Sequence, residues 1–413
     1  MTRPITVLVQ LNSLGLGGTQ ITAVDFAASL RSHGFESVLI GPRDTLPSGP
    51  SLFDVAREKG VRVESFTRPT TVIAGSRFLS RAARECGADL VHVYGSGNAR
   101  SAYWGPSLLA RRPLVLTVYE MNVSPLEFAS PPLIVGTGYL IDDLKDRPGL
   151  TRLISPPVDL SRDRAGAVDT TDFLATVGAL REKTVRIVLV SRLDEEMKAL
   201  SVETAVLAVG RSTRTDLQLI IVGSGDAEER LRALARSVNV RLGRAAVIFA
   251  GSMADPRAAY ASADIALGMG SSAARALAFG RSLIVVGEFG WSRIFERETA
   301  AQLFRNSFWS DEAAPTAVDD LVRDIEDLAA DPARRAHLQS FGREFSEANY
   351  GLDTMTSRLA SVYRAARVDY GRRDWARDLG REWGALSQRW TRRPDRGRAI
   401  RQPLTLTALK GTR

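Results

Sequence analysis

The chain has 413 residues, 44% of them hydrophobic and 25% charged, a composition typical of a soluble globular protein. Its length predicts about two domains. The net charge of +8 is confined to residues 371–413, which hold twelve Arg or Lys against four Asp or Glu. The other residues are neutral overall, which argues against a nucleic-acid-binding face.

Further properties narrow the class of protein. No apolar run is long enough to span a membrane, and MTRPITVLVQ enters a strand directly, without a cleavable signal. The single cysteine, Cys86, excludes an intrachain disulfide, and three scattered histidines argue against a zinc site. We expect a cytoplasmic protein.

The first part of the chain alternates apolar strands with amphipathic helices, which predicts a parallel sheet covered on both faces. The predicted strands are ITVLVQL (5–11), ESVLIG (36–41), VRVESF (61–66), LVHVYG (90–95), PLVLTVY (113–119) and LIVGT (133–137). Prolines, charges and small residues then follow in LISPPVDLSRDRAGAVDTTD. We therefore predict a first domain over 1–155 and a linker over 156–172.

The same alternation starts again after the linker. The strands predicted here are VRIVLVS (185–191), LQLIIVG (217–223), AAVIFAG (245–251), ADIALGM (263–269) and SLIVVGE (282–288). This predicts a second domain over 173–345, a helix over 346–368 that could cross back, and a basic tail over 369–413. Two doubly wound α/β domains leave a cleft between them, lined by the carboxyl ends of the strands.

Four junctions between a strand and the following loop suggest binding. In the first, NSLGLGGTQ, Gly17, Gly18 and Thr19 open a helix whose free amides and dipole favour a phosphate. The G-x-G-x-x-G pattern of nicotinamide dinucleotide sites does not fit, because Gln20 stands where its last glycine would be. The alternative is a tight turn without a ligand.

The second junction, SRLDEEMKAL, places two cations at the mouth of the cleft. Arg192 leaves a buried strand at its carboxyl end, and Lys198 begins the next helix. Together they could hold a diphosphate, Arg192 as a fork and Lys198 as a point charge. The alternative is a solvated helix start with ion pairs to Asp194 or Glu195.

The third junction, IIVGSGDAEERLRALA, ends its strand in Gly-Ser-Gly. Asp226 is a candidate helix cap, which suits an acidic residue better than phosphate binding does. We expect Gly223 and Gly225 to permit the close approach of a ligand's base or sugar.

The fourth junction, ADIALGMGSSAARALAFG, is a glycine-rich turn before an alanine-rich helix. The amides that follow Gly268 and Gly270, with Ser271 and Ser272 at the helix start, suit phosphate contacts. Arg275, one turn further along, is a candidate third cation.

The order of these motifs over residues 5–365 resembles the family-4 glycosyltransferases of the two-Rossmann GT-B fold. GGTQ corresponds to the family's GG-x-E, PPVD (156–159) to N-G-V-D and SRLDEEMKAL to G-R-L-x-x-x-K-G. VGSGDAEERL corresponds to V-G-x-G-x-x-x-x-x-L, and RALAFGRS to E-A-M-A-x-G-x-P.

The resemblance implies transfer of a hexose, with retention, from a nucleoside-diphosphate sugar. The implied acceptor is a saccharide, a glycolipid or a lipid-linked molecule in polysaccharide assembly, and no metal or other cofactor is needed. The resemblance also implies that Arg192 and Lys198 clamp the diphosphate, whose stabilised charge would supply much of the catalysis.

The chain departs from this family at individual positions. The usual pair of carboxylates, seven residues apart, is missing. Ser271 stands where a subgroup with a compact loop has Arg, Arg275 where it has Glu, and Tyr119 at the position of a family histidine. Two alternatives therefore stay open: a non-catalytic scaffold subunit that keeps the fold, and a nucleotide-sugar 2-epimerase. His92 either points into the cleft or is a hydrogen-bonded core histidine.

The segment RDWARDLGREWGALSQRW (373–390) has helical spacing of its apolar residues. One face carries Trp375, Leu379, Trp383, Leu386 and Trp390, with arginines around it. This pattern is typical of an interfacial helix on an anionic membrane, here at the inner leaflet. The alternative is a helix that packs on the protein or on a partner.

Overall fold

The structure, a computed structural model, describes residues 3–43, 51–95, 99–178 and 184–391. They form two α/β domains, each built on one sheet. The strands are β1 Ile5–Gln10, β2 Phe35–Pro42, β3 Arg62–Phe66, β4 Leu90–Tyr94, β5 Leu114–Val118, β6 Leu133–Val135, β7 Thr151–Leu153, β8 Val185–Val190, β9 Leu217–Val222, β10 Val247–Gly251, β11 Ile265–Gly268, β12 Ser282–Val286 and β13 Ser292–Ile294.

Helices follow most of these strands. They are α1 Gly18–Ser29, α2 Leu52–Glu58, α3 Val72–Glu85, α4 Ala99–Ala102, α5 Gly138–Asp143, α6 Thr171–Thr176, α7 Ala199–Arg211, α8 Glu228–Leu242, α9 Arg257–Ser262, α10 Ser271–Ala278, α11 Arg297–Arg305, α12 Ala317–Ala330, α13 Pro332–Tyr350, α14 Leu352–Asp369 and α15 Arg372–Thr391. None of the helices in this part of the chain is both long and apolar enough to traverse a bilayer.

Both sheets are doubly wound, which confirms the predicted fold. The first runs β3-β2-β1-β4-β5-β6-β7 and is parallel at every pairing. The second runs β10-β9-β8-β11-β12-β13, with only β13 antiparallel. Continuous apolar runs such as LVHVY in β4 are buried throughout, as strands covered on both faces must be. The short edge strands β7 and β13 each carry an exposed arginine and have no continuous apolar run, and neither was predicted from sequence.

The strand order fixes where loops can meet. β1 pairs with both β2 and β4, and β8 pairs with both β9 and β11. At such a point the chain leaves successive strands in opposite directions, so a crevice opens at their carboxyl ends. The loops after β1, β8 and β11 lie at these two crevices.

The chain crosses between the two domains twice, and the two crossings lie side by side. The Val158 amide donates to the Tyr350 carbonyl at 2.9 Å, and the Leu352 amide donates to the Val158 carbonyl at 3.0 Å. Beyond Gly351, α14 packs into the core of the first domain through Met355, Leu359, Tyr363 and their neighbours. The segment predicted over 346–368 therefore divides at Gly351, between α13 and α14.

α15 docks on the first domain, which corrects the predicted apolar face. Trp375 is 8% exposed and donates its indole hydrogen to Ser107 Oγ at 3.0 Å, so it is not a membrane contact. Trp383 is 74% exposed and points away. The inner face instead carries Asp378 and Glu382, both almost fully buried. The side chains of Leu386 and Trp390 lie outside the described part of the structure.

Candidate active site

The loop between β8 and α7 carries the two predicted cations in different surroundings. The Arg192 side chain is 72% exposed, and its guanidinium is 3.6 Å from the Asp194 carboxylate. Asp194 also shapes the loop, since its Oδ1 accepts the Met197 amide at 2.9 Å. Lys198 is half-buried and occupies the N-cap position of α7. The expected surface ion pair thus exists for Arg192, whereas Lys198 turns inward.

The turn between β11 and α10 is built by its glycines. A Cβ on Gly268 would lie 3.0 Å from the backbone of Ala273, so a side chain there would press on the start of the helix. Gly270 has φ 58° and ψ −129°, which is rare for residues with a side chain. Ser272 Oγ accepts the Met269 amide at 3.1 Å and donates to its carbonyl at 3.0 Å. Ser271 is exposed at the helix start.

Lys198 joins these two loops into one site. Its ammonium lies against the sulfur of Met269, in the turn before α10. Burial lowers the pKa of Lys198, although the carboxylates of Glu288 and Asp194 act in the opposite direction. A partly desolvated cation therefore stands beside the first amides of α10, which have no acceptor within their own helix.

The start of α1 faces this site from the other domain. Gly17 is its N-cap, and a Cβ on Gly18 would lie 3.5 Å from Ser271 Oγ of α10. Thr19, next along α1, is half-buried. Neither helix has an acidic residue in its first turn. Two positive helix ends therefore meet across the cleft beside Lys198, an arrangement that favours an anion.

Gly223 and Gly225 pack closely against a neighbouring loop of the same domain. A Cβ on Gly223 would lie 1.8 Å from the Ser191 carbonyl oxygen, and one on Gly225 would lie 2.3 Å from that of Leu193. The close approach that the structure shows is to the loop that carries Arg192, and an approach to a ligand's base or sugar stays a prediction. The predicted helix cap is also corrected: Asp226 accepts the Glu195 amide at 3.0 Å, and Ala227 is the N-cap of α8.

Comparisons with known proteins agree on the class. Residues 16–162 match the family model described as "Glycosyltransferase Family 4", and residues 184–331 match that described as "Glycosyl transferases group 1". Together the two models cover more than half of the chain. This chain is a glycosyltransferase of the GT-B fold. No curated protein sequence matches it.

Solved structures share the fold of this glycosyltransferase at low identity. A glycosyltransferase from Rickettsia africae has a TM-score of 0.67 at 13% identity, over 89% of this chain and 100% of its own. Anabaena Alr3699/HepE in complex with UDP-glucose has a TM-score of 0.65 at 18% identity, over 87% and 100%. A Staphylococcus aureus TarM mutant in complex with UDP and α-GlcNAc-glycerol has a TM-score of 0.61 at 9% identity, over 87% and 99%.

Arg275, at the position where the resembled subgroup has Glu, has a partner in this glycosyltransferase. Its Nε donates to the Asp163 carboxylate at 3.0 Å, which ties α10 to the linker between the domains. The Asp163 side chain is 5% exposed and that of Arg275 is 29% exposed, so the pair is a partly buried anchor of the linker. Binding of a donor phosphate by Arg275 stays a prediction.

Tyr119 and His92 lie in the first domain. The Tyr119 hydroxyl is buried without a hydrogen-bond partner among the described residues, and burial raises its pKa well above the usual value. A catalytic role for Tyr119 stays a prediction, and at neutral pH the group is uncharged. His92 bonds to Tyr363 Oη and Thr117 Oγ1, both at 2.7 Å, and is therefore the core histidine of the two alternatives.

Sequence reasoning missed several polar groups near the cleft. Glu288 follows β12, and its negative charge favours the charged form of Lys198 and so acts to raise its pKa. On the first domain, Gln20 donates to Asn12 Oδ1 at 2.9 Å. A Cβ on Gly95 would lie 3.2 Å from Asn12 Nδ2 and 3.3 Å from Glu120 Oε1, so both side chains lie close to Gly95. A carboxylate directly after a buried strand, as in SLIVVGE, was the signal for Glu288.

Proposed function

We propose that this glycosyltransferase moves a hexose from a nucleoside-diphosphate sugar to a saccharide, glycolipid or lipid-linked acceptor, with retention of configuration. The observation that carries the proposal is the meeting of two acid-free helix starts beside a half-buried lysine. A diphosphate is the anion that such a site fits, because it can accept from both sets of amides and from the ammonium.

The leaving group explains how such a site catalyses the reaction. When the bond to the sugar breaks, negative charge grows on the diphosphate oxygens. Lys198 and the start of α10 stabilise that charge at fixed positions, so little reorganisation is needed. Arg192, exposed at the mouth, can swing onto the same diphosphate. The cations and helix ends supply the positive charge, and we propose that no metal ion is required.

The ligands of two similar structures suggest which donor to test first. The structure of Alr3699/HepE is a complex with UDP-glucose, and that of the TarM mutant contains UDP. A uridine donor is therefore the first to test. Asn12 and Glu120, which follow strands of the first domain, and Gln20 of α1 would face the acceptor.

We further propose that the protein acts in polysaccharide assembly, peripherally at the cytoplasmic face of a membrane. Trp383 and Leu379 are exposed on the outer face of α15. Arg372, Arg373 and Arg377 are also exposed there, and the residues beyond them are basic in sequence. Apolar groups beside arginines suit an anionic bilayer surface.

Binding and hydrolysis of the donor test the proposal. UDP, GDP, ADP and dTDP, each with its glucose or mannose ester, are screened by thermal shift and calorimetry, followed by donor hydrolysis. We expect Lys198→Ala to weaken binding of the donor and to slow turnover by about 100-fold, the effect of losing one stabiliser of developing charge. Lys145→Ala, which changes an exposed lysine of the first domain, is the control.

Three outcomes contradict the proposal. Binding without turnover favours the scaffold subunit, a reading that the arginine at position 275 had left open. If no nucleotide binds, the proposed diphosphate site is wrong. The same conclusion follows if the Lys198→Ala and Lys145→Ala variants behave alike.

A further inference from the structure

The segment that follows α11 has an unusual backbone. Ser307 and Phe308 are consecutive residues with φ of 53° and 55°, in the left-handed region that residues with side chains rarely occupy. Phe308 is fully buried. Such strain persists only where the surroundings hold it in place, and it is concentrated at functional sites.

This segment fixes two parts of the site at once. The Phe308 carbonyl accepts the Gly270 amide at 3.1 Å, in the turn before α10. The Ser310 carbonyl accepts the Glu288 amide at 3.0 Å. Between them, Trp309 Nε1 donates to Glu288 Oε1 at 2.7 Å. The strained backbone therefore sets the position of Glu288 relative to the phosphate turn.

Glu288 has the wrong charge for a diphosphate and the right chemistry for a sugar. An ionised carboxylate only accepts hydrogen bonds, so it repels phosphate oxygens but binds hydroxyl donors strongly. Glu288 is half-buried, and the indole of Trp309 engages only one of its oxygens. The charges of the Glu288 carboxylate and the Lys198 ammonium attract each other.

The strand order gives the direction in which a donor would extend. Lys198 follows β8, the turn before α10 follows β11, and Glu288 follows β12, next to β11 in the sheet. With the diphosphate at the first two loops, Glu288 lies at one end of it. The resembled subgroup has a Glu at the position of Arg275 on α10. In this chain Arg275 pairs with Asp163, so no carboxylate comes from that position.

We propose that Glu288 binds hydroxyl groups of the transferred sugar, with Trp309 as the residue that positions its carboxylate. The inference rests on the proposed function, since it needs a donor at the phosphate turn. It assigns sugar recognition to a carboxylate after β12.

The test compares binding of a donor with binding of its nucleoside diphosphate, for example UDP-glucose with UDP, by calorimetry on the full chain. Glu288→Gln keeps the size of the side chain and an oxygen for the Trp309 indole. We expect the donor to bind about tenfold more weakly, the effect of losing one charge-assisted hydrogen bond, and the nucleoside diphosphate to bind as before. Glu298→Gln changes an exposed carboxylate of the same domain and should alter neither.

Trp309→Phe provides the second variant. It retains the aromatic ring but removes the N–H that holds Glu288, so we expect the same selective loss, smaller in size. Thermal unfolding without ligand shows whether either variant has damaged the fold.

The outcomes separate this inference from the proposed function. Equal weakening of donor and nucleoside diphosphate by Glu288→Gln would place the carboxylate at the ribose or in a structural role, and would overturn the inference. Unchanged donor binding would overturn it too. If the unmodified protein binds neither a nucleotide sugar nor its nucleoside diphosphate, the proposed function itself is wrong.

Discussion

At the residue scale, burial decides what a polar side chain does. His92 lies in the middle of β4, fully enclosed between Thr117 and Tyr363. Burial lowers its pKa to about 3, so the ring is neutral in the folded protein. Lys198 is only half-buried at the edge of the cleft, and its charge is available to a ligand. The first residue therefore belongs to the core, and the second is accessible from the cleft.

The neutral state of His92 predicts a pH dependence of stability. In the unfolded chain the ring takes up a proton near its usual pKa of 6.5, whereas the folded protein excludes that proton down to about pH 3. Stability is therefore lost as the pH falls below 6.5. From about pH 7.5 to about pH 5 the contribution of His92 to the free energy of unfolding should drop by about 2 kcal/mol.

Urea unfolding at both pH values checks this, with His92→Gln as the comparison. The variant lacks the titrating ring, so its loss on acidification should be smaller than that of the unmodified protein by the same amount. An equal pH dependence of the two proteins would show that His92 does not titrate on unfolding.

At the element scale, α15 shows how a helix with two candidate faces chooses between them. Asp378 Oδ1 accepts the amides of Ala129 and Ser130, both at 3.1 Å. Glu382 pairs with Arg100 at 2.9 Å. These partners come from parts of the chain far away in sequence. Because of these partners, the face of α15 that carries the two carboxylates is the buried one. Trp383 lies on the exposed face.

We predict that Asp378→Ala destabilises the protein by about 1–3 kcal/mol, because two buried amides lose their acceptor. Asp378→Asn keeps an acceptor oxygen and should recover much of the loss. The control is Asp369→Ala, which removes an exposed carboxylate at the end of α14. Free energies of unfolding in urea measure the effect. Equal stability of the Asp378→Ala and Asp369→Ala variants would mean that the docking of α15 contributes little.

At the scale of the whole molecule, the end of the chain returns to the first domain. α14 completes its core, and α15 covers its surface beside Ser107 and Ala129. The second domain is thus inserted between parts of the first, joined by two crossings that hydrogen-bond to each other. α15 is part of the first domain, which we propose to bind the acceptor. A membrane contact through its outer face would therefore bring the cleft close to a bilayer.

Membrane docking makes a prediction for the intact protein. Trp383→Ser and Leu379→Ser, combined, should weaken binding to vesicles of phosphatidylcholine with phosphatidylglycerol by about tenfold, because a buried Leu side chain alone contributes roughly 1.5–3 kcal/mol. Co-sedimentation measures this. Val368→Ser, on α14, is the control, since Val368 is 83% exposed. Equal binding by all variants, or none to any vesicle, would contradict docking through α15.

Much of the fold could be predicted because its signals are local. Continuous apolar runs such as VRIVLVS identify strands buried on both faces, and their alternation with helices implies two doubly wound sheets. The glycine-rich turns before α1 and α10 were likewise predicted from sequence, since Gly17, Gly18, Gly268 and Gly270 lie at junctions between a strand and a helix. The edge strands β7 and β13 were missed because each carries an exposed arginine and lacks a continuous apolar run.

The sequence by itself determined the two-domain α/β architecture and the glycine turns, because strand burial and helix starts depend on neighbours along the chain. Only the tertiary structure decided the use of individual side chains. It packs Gly223 against the backbone of the Arg192 loop, pairs Arg275 with Asp163 of the linker, buries Trp375, and joins Glu288 to Trp309 by a hydrogen bond. Each of these outcomes depends on a contact between residues distant in sequence, which no local pattern encodes.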